Sequence, residues 1–254
     1  MTVPAPPVPF RALDEVVEAG SLLHRVHSTR FRAAQFNPGA GSPTRFAFFG
    51  DPVVPVLYAG DTEDAALSET LLHDVPLTGG RITDLEFGGR SCSRLVARRD
   101  LRLASLVGAG PRALGVHAAE VCATDAADYP DTVAWAAAAH AAGFEGLAYP
   151  SRQAPGRRAV VLFGDRVEED DLEVDASYRW FFDDTDGFAR LCRIARDVGV
   201  QVLRRVCPGG RTHGRAGRSA AGPSLTGCHG VGMPPSTCSV SPTTKLDSPD
   251  ARTT

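Results

Sequence analysis

DTVAWAAAAHAAGFEGLAYPSRQAPGRRAVVLF, residues Asp131 to Phe163, holds the element order that decides the fold. Asp131 is placed to cap an Ala-rich helix, Thr132 to Ala142, which Gly143 closes. Two apolar strands follow, Gly146 to Tyr149 and Ala159 to Phe163, joined by a loop containing Pro155 and Gly156. No helix separates those strands. A doubly wound sheet needs one at each crossover, so the stretch points to an α+β fold.

The elements on either side repeat that irregular order. Upstream, Ala12 to Ala19 reads as a short helix stopped by Gly20, and Leu22 to Val26 as a strand. Arg30 to Phe49 is loop-rich, with Asn37-Pro38-Gly39 and Gly41-Ser42-Pro43 as turn signals. Pro55 to Ala59 is a strand, after which Asp61 is expected to cap a helix running from about Thr62 to Asp74. Strands are expected at Ile82–Phe87, Arg94–Ala97 and Leu101–Ser105. Downstream, Phe188 to Val198 reads as a helix and Val200 to Val206 as a last strand. The aromatic cluster Trp180-Phe181-Phe182 reads as core or contact surface, with core favoured.

The chain divides by composition. Residues 1–9 are Pro-rich and expected to be flexible, 10–206 form one domain, and 207–254 form a tail. Of the 48 tail residues, 27 are Gly, Pro, Ser or Thr, too little apolar surface to offset chain entropy, so disorder is expected there. The tail carries five Lys or Arg and two Asp or Glu, which leaves the remainder with 22 basic and 28 acidic residues, net −6. Such an acidic domain is a poor electrostatic partner for nucleic acid, and no direct nucleic-acid contact is expected. No apolar run is long enough for a membrane span, and no signal peptide is read, so a cytoplasmic location is expected.

Six cysteines form no CxxC pair and read as free thiols. A zinc set of Cys207, His213, Cys228, His229 and Cys238 matches no finger spacing, and no metal is expected. GxGxxG after a strand, GxxxxGK[ST], HExxH, the EF-hand loop and GxSxG are all absent.

Five residues stand out, each with an ordinary reading beside a functional one. Arg25, within Leu22-Leu23-His24-Arg25-Val26, is a solvent-face residue or an anion clamp. Arg45, in the loop before Phe46, is solvated or a second phosphate contact. Tyr58 is a core aromatic or a stacking platform for a planar ring. Glu69 is two residues from both Leu67 and Leu71, which share a helix face, so it projects from roughly the opposite side and reads as solvated or functional. Ser151, in Tyr149-Pro150-Ser151-Arg152-Gln153, is a turn residue or a hydrogen-bonding group of a site.

Taken in order, Arg25, Arg45-Phe46, Leu57-Tyr58-Ala59, Ala66-Leu67-Ser68-Glu69-Thr70 and Gly146-Leu147-Ala148-Tyr149-Pro150-Ser151 together resemble the RES-domain family, named for its Arg, Glu and Ser. Phe36-Asn37-Pro38 and Ala142-Gly143-Phe144-Glu145-Gly146 add to the match, which covers roughly residues 20–180. The family pattern does not foresee the tail.

The resemblance implies an ADP-ribosyltransferase-like α+β core with a cleft for NAD. It implies the toxin of a bacterial toxin–antitoxin pair, partnered by a helix-turn-helix, Xre-type antitoxin. NAD is then the substrate, broken at the nicotinamide–ribose bond, with water, inorganic phosphate or a protein side chain as acceptor. Glu69, Arg25 and Ser151 are the implied catalytic residues, and Arg25, Arg45, Tyr58 and Ser151 the implied NAD contacts. The residue types suit that chemistry: guanidinium groups pair with a pyrophosphate, a tyrosine face suits cationic nicotinamide, and one carboxylate can steady an oxocarbenium-like ribose. Two other readings stay open: an ADP-ribosyltransferase with a specific protein target, and a catalytically silent binding module of the same fold.

Overall fold

The computed structural model describes residues 2–204, apart from 77 and 155, together with the backbone of Ser236–Thr237. In chain order the elements are β1 (Asp14–Val17), β2 (Leu22–Ser28), β3 (Val56–Gly60), α1 (Glu63–Leu67), which runs on as a single π-helical turn (Ser68–Leu72), β4 (Arg81–Thr83), α2 (Asp84–Phe87), β5 (Arg90–Ala97) and β6 (Leu101–Ser105). Then come α3 (Gly110–Ala113), α4 (Ala118–Cys122), α5 (Tyr129–Ala141), β7 (Gly146–Pro150), β8 (Arg158–Phe163), β9 (Leu172–Phe181), α6 (Thr185–Asp197), β10 (Gln201–Arg204) and β11 (Ser236–Thr237).

Eight strands form one sheet in the order β1-β6-β7-β8-β3-β2-β5-β9. Within this sheet only β6 and β7 pair in parallel, and α3 to α5 make the crossover between them. The other neighbours are antiparallel, which makes the sheet mixed and the fold α+β. β4, β10 and β11 form a small second sheet.

Alternation along each strand divides the core. Val56, Tyr58, Leu147, Tyr149, Ala159 and Val161 face one cluster, under Trp135, Ala136 and Ala139 of α5. Leu57, Ala59, Ala148, Val160 and Leu162 face a second, with Leu23 and Leu95. A third joins Val26 and Cys92 to Leu67 at the end of α1, to Leu71 and Leu72 of the π turn and to Ile194 and Ala195 of α6. β2 and β3 meet in register only at His24↔Gly60. Beyond that pair β3 is bridged by Asn37, part of the loop between the two strands.

Several expected elements differ. Ala12–Ala19 is not a helix: β1 occupies it as an edge strand paired with β6, and Val17 at 1% exposure beside Val16 at 46% shows a period of two. Ile82–Phe87 splits into β4 and α2, because Thr83 and Glu86 close a capping box that starts a helix. Thr62, rather than Asp61, caps α1, accepting from the Ala65 amide at 3.2 Å. α5 begins at Tyr129, ahead of Asp131, with Pro130 in its first turn. β9 carries no clear strand signal in the sequence, since Asp175-Ala176-Ser177 lacks β-forming residues and lies where β5 shifts register.

Segment 2–9, expected to be flexible, is tied at two points: Val3 is buried in the core, and Trp135 donates its indole N–H to the Pro4 carbonyl at 2.8 Å. Trp180 and Phe182 are core residues, as the sequence favours. Of the expected tail, 207–254, only β11 falls within the described residues, as does no member of the Cys/His set considered for zinc. No helix among the described residues is long and apolar enough to cross a membrane.

Candidate active site

Three elements bring their functional side chains to one point at the end of β7. Tyr149 and Ser151, two residues apart, lie on one side of the chain as strand geometry dictates. Opposite them, the π turn Ser68–Leu72 widens the helix just where Glu69 sits. That turn keeps Leu71 and Leu72 in the core while Glu69 turns inward toward β7. Insertions of this kind are frequent at functional sites. The third element is the loop carrying Arg45.

Among the described residues, four donors reach the Glu69 carboxylate. Oε1 accepts from the Ser151 hydroxyl at 2.8 Å and the Arg152 amide at 3.3 Å. Oε2 accepts from the Tyr149 hydroxyl at 3.1 Å and from Nη1 of Arg45 at 3.2 Å. The Arg45 and Glu69 side chains are only 6% and 8% exposed, so the ion pair is desolvated. The Arg45 guanidinium also lies 6.0 Å from the centre of the Tyr149 ring, while its buried Nε has no hydrogen-bond partner among the described residues.

Arg45 is fixed through its backbone neighbours. The Tyr58 hydroxyl accepts the Phe46 N–H at 3.1 Å and bonds to the Thr44 hydroxyl at 3.0 Å. Thr132 of α5 donates its hydroxyl to the Arg45 carbonyl. Burial pushes the Tyr58 phenol up to about 12, so it stays neutral and serves as a fixed anchor for the loop.

Arg25 stands apart from this group. It shares the Leu23 side of β2, one residue past the pair where β2 meets β3, and its Nη1 donates to the Ala33 carbonyl at 2.5 Å. Desolvation pulls its pKa down to about 10, with the distant Glu169 charge acting weakly the other way. No hydrogen bond or ion pair among the described residues joins it to Glu69, Arg45, Tyr149 or Ser151.

The structure therefore gathers Glu69, Arg45 and Ser151, connects Tyr58 to them through the 44–46 loop, and leaves Arg25 in a separate position. Sequence reasoning passed over Tyr149 and Arg152. The period of two that sets Tyr149 beside Ser151 was a usable signal for the first. Nothing in the sequence announces the Arg152 amide. Among the described residues no group of three or more His, Cys, Asp or Glu is placed to hold a metal ion.

Fold and site together define a class: a mixed α+β protein with a buried carboxylate held by an arginine and by hydroxyl donors. The RES domain family model matches residues 22–183, most of the chain, and the protein belongs to the RES-domain family. The fold is similar to that of a chain in the crystal structure of the M. tuberculosis MbcT–MbcA toxin–antitoxin complex. That similarity has 16% identity, a TM-score of 0.51, and coverage of 70% of this chain and 91% of that one. A search of curated proteins finds no match.

Proposed function

We propose that this RES-domain protein is the toxin of a toxin–antitoxin pair and acts on NAD, breaking the nicotinamide–ribose bond. The observation that carries the reading is the buried Glu69 carboxylate, held by Arg45, Tyr149, Ser151 and the Arg152 amide. A carboxylate so oriented is suited to a positive charge that develops on a sugar ring.

In the proposed reaction the C1′–N bond breaks and its electron pair goes to the nicotinamide nitrogen. Nicotinamide enters as a cation and leaves neutral, so no general acid is needed. Glu69 steadies the oxocarbenium-like ribose, and Ser151 keeps Oε1 aimed at it. Water or inorganic phosphate then bonds to C1′, with water releasing a proton.

Arg25 is assigned to the pyrophosphate, because a partly buried guanidinium with no ion pair among the described residues has spare donors for an anion. Arg45 also read from sequence as a phosphate contact. Its guanidinium is turned to Glu69, so the proposal gives it the task of holding that carboxylate. The Tyr58 ring is the surface offered to nicotinamide, and its hydroxyl stays with the loop.

A protein partner of the antitoxin type would close the cleft. The similar fold comes from a toxin–antitoxin complex, and the helix-turn-helix character of the partner rests on the family resemblance. The test is NAD consumption by purified protein with and without inorganic phosphate, followed by product analysis. Free ADP-ribose identifies hydrolysis, and its phosphate ester identifies phosphorolysis. Label transferred to a protein redirects the reading to an ADP-ribosyltransferase, and an unchanged NAD pool redirects it to a silent binding module.

A further inference from the structure

The two oxygens of Glu69 are held by different kinds of donor. Oε2 is held from the interior: Tyr149 is buried to 1% exposure, and Arg45 is nearly as enclosed. The Tyr149 ring is locked by an edge-on contact with Phe46, centroids 5.0 Å apart, so its hydroxyl has a fixed position. Oε1 is held from the chain that leaves β7, by Ser151 and the Arg152 amide. That turn is fastened at its outer side: Arg152 pairs with Asp125 at 2.8 Å and reaches the Thr124 carbonyl, while Gln153 donates to the Val75 carbonyl at 3.3 Å. Asp125 is 77% exposed, so this fastening is open to exchange with water or ligand.

We infer that Tyr149 is a positioning residue: with Arg45 it clamps Oε2 of Glu69, and so leaves Oε1, beneath the Ser151–Arg152 turn, as the oxygen that meets the substrate. The inference rests on the reading of Glu69 as the reactive carboxylate. It assigns the Arg152 amide as the donor that the substrate displaces, since it is the longest of the four contacts and belongs to the exchangeable turn.

Tyr149 suits the task because its proton is retained. Burial raises its pKa well above the ordinary value, and the Glu69 charge that its hydrogen bond serves raises it further. Other ionisable groups that feel the Glu69 charge include Arg45 from the loop, Tyr58 from β3, Tyr129 from α5 and Cys122 from α4. Burial raises both tyrosines and the thiol, so they are neutral near pH 7. Arg45 and Tyr149 are thus the side chains that fix the charge on Oε2.

The test is Tyr149→Phe, which keeps the ring and removes one donor. Glutamate carboxyls are labelled with carbon-13, the Glu69 signal is assigned with Glu69→Gln, and the signal is titrated in the folded full-length protein. The expected result is a Glu69 midpoint higher in Tyr149→Phe by about 0.5–1 pH unit, as follows when a donor to the charged form is lost. In parallel, kcat for NAD should fall about five- to twentyfold with KM within about twofold, the sign of an aim lost after binding. An unmoved midpoint in a variant of unchanged melting temperature overturns the positioning role. So does a loss confined to KM. If wild-type protein consumes no NAD yet the midpoint moves, the NAD reading fails and the clamp stands.

Discussion

Ser151 donates its hydroxyl to Oε1 of Glu69 at 2.8 Å, joining residues 82 positions apart in the chain. A hydrogen bond to a buried charge contributes about 1.5–3 kcal/mol, roughly ten- to a hundredfold in rate where it acts only at the transition state. Ser151→Ala should therefore lower kcat by about tenfold or more in steady-state NAD consumption. Full activity in this variant removes Ser151 from the reacting group.

Arg45 and Glu69 should be interdependent in stability. Removing one partner of a buried pair leaves an uncompensated charge and costs about 3–5 kcal/mol. Arg45→Ala should show that loss in urea denaturation. Adding Glu69→Gln should restore part of it, because the stranded carboxylate is gone. Two losses that simply add would mean that the 3.2 Å contact carries no coupling.

Arg25 makes the opposite prediction. Arg25 is partly buried and makes no ion pair among the described residues, so the desolvation of its charge opposes folding unless an anion is bound. Arg25→Ala should leave the melting temperature of the free protein close to wild type while raising KM for NAD about tenfold or more. A melting temperature that falls while KM is unchanged would make Arg25 a structural residue.

His27 sets a pH limit on the fold. It is buried, and its Nε2 lies 3.0 Å from the Ser93 hydroxyl. Desolvation lowers its pKa below 6.5, with the charges of Arg25 and Arg179 acting the same way against its backbone contacts. The unfolded chain therefore binds a proton more readily than the folded one. This contribution is fully present above about pH 6.5 and is lost as pH falls through that value toward the folded pKa, by up to ~1.4 kcal/mol per pH unit. His27→Gln should flatten the fall in melting temperature between pH 7 and 5. An equal slope in both proteins removes His27 as its cause.

Much of the fold is legible where a local signal and a tertiary role agree. Gly146–Tyr149 and Ala159–Phe163 are apolar, short and bounded by turn residues, and they are paired neighbours in the sheet. The signals fail at the edges. Leu13, Val16 and Val17 suit a helix as well as a strand, and the free side of β6 decides the matter. β9 is hidden by its polar middle, since an edge strand takes its hydrogen bonds from a neighbour that the local sequence does not show.

The candidate site is legible as residue types in order. Its geometry depends on features that local periodicity hides. Glu69 lies on the polar side of an ideal helix, and the π turn re-aims it inward. Arg45 reads as a loop residue, and only the Tyr58 and Thr132 contacts hold it inside. Tyr149 reads as an ordinary strand aromatic, because a buried hydroxyl declares a function only when its acceptor is known.

The central claim is that Glu69 is the reactive carboxylate of an NAD-cleaving site. The most direct measurement compares NAD consumption by wild-type protein and Glu69→Gln, both shown to be folded and free of any bound partner. Glutamine keeps the shape and removes the charge. The account predicts measurable loss of NAD with wild type and a rate lower by about a hundredfold or more in the variant. Equal rates in the two proteins would contradict it.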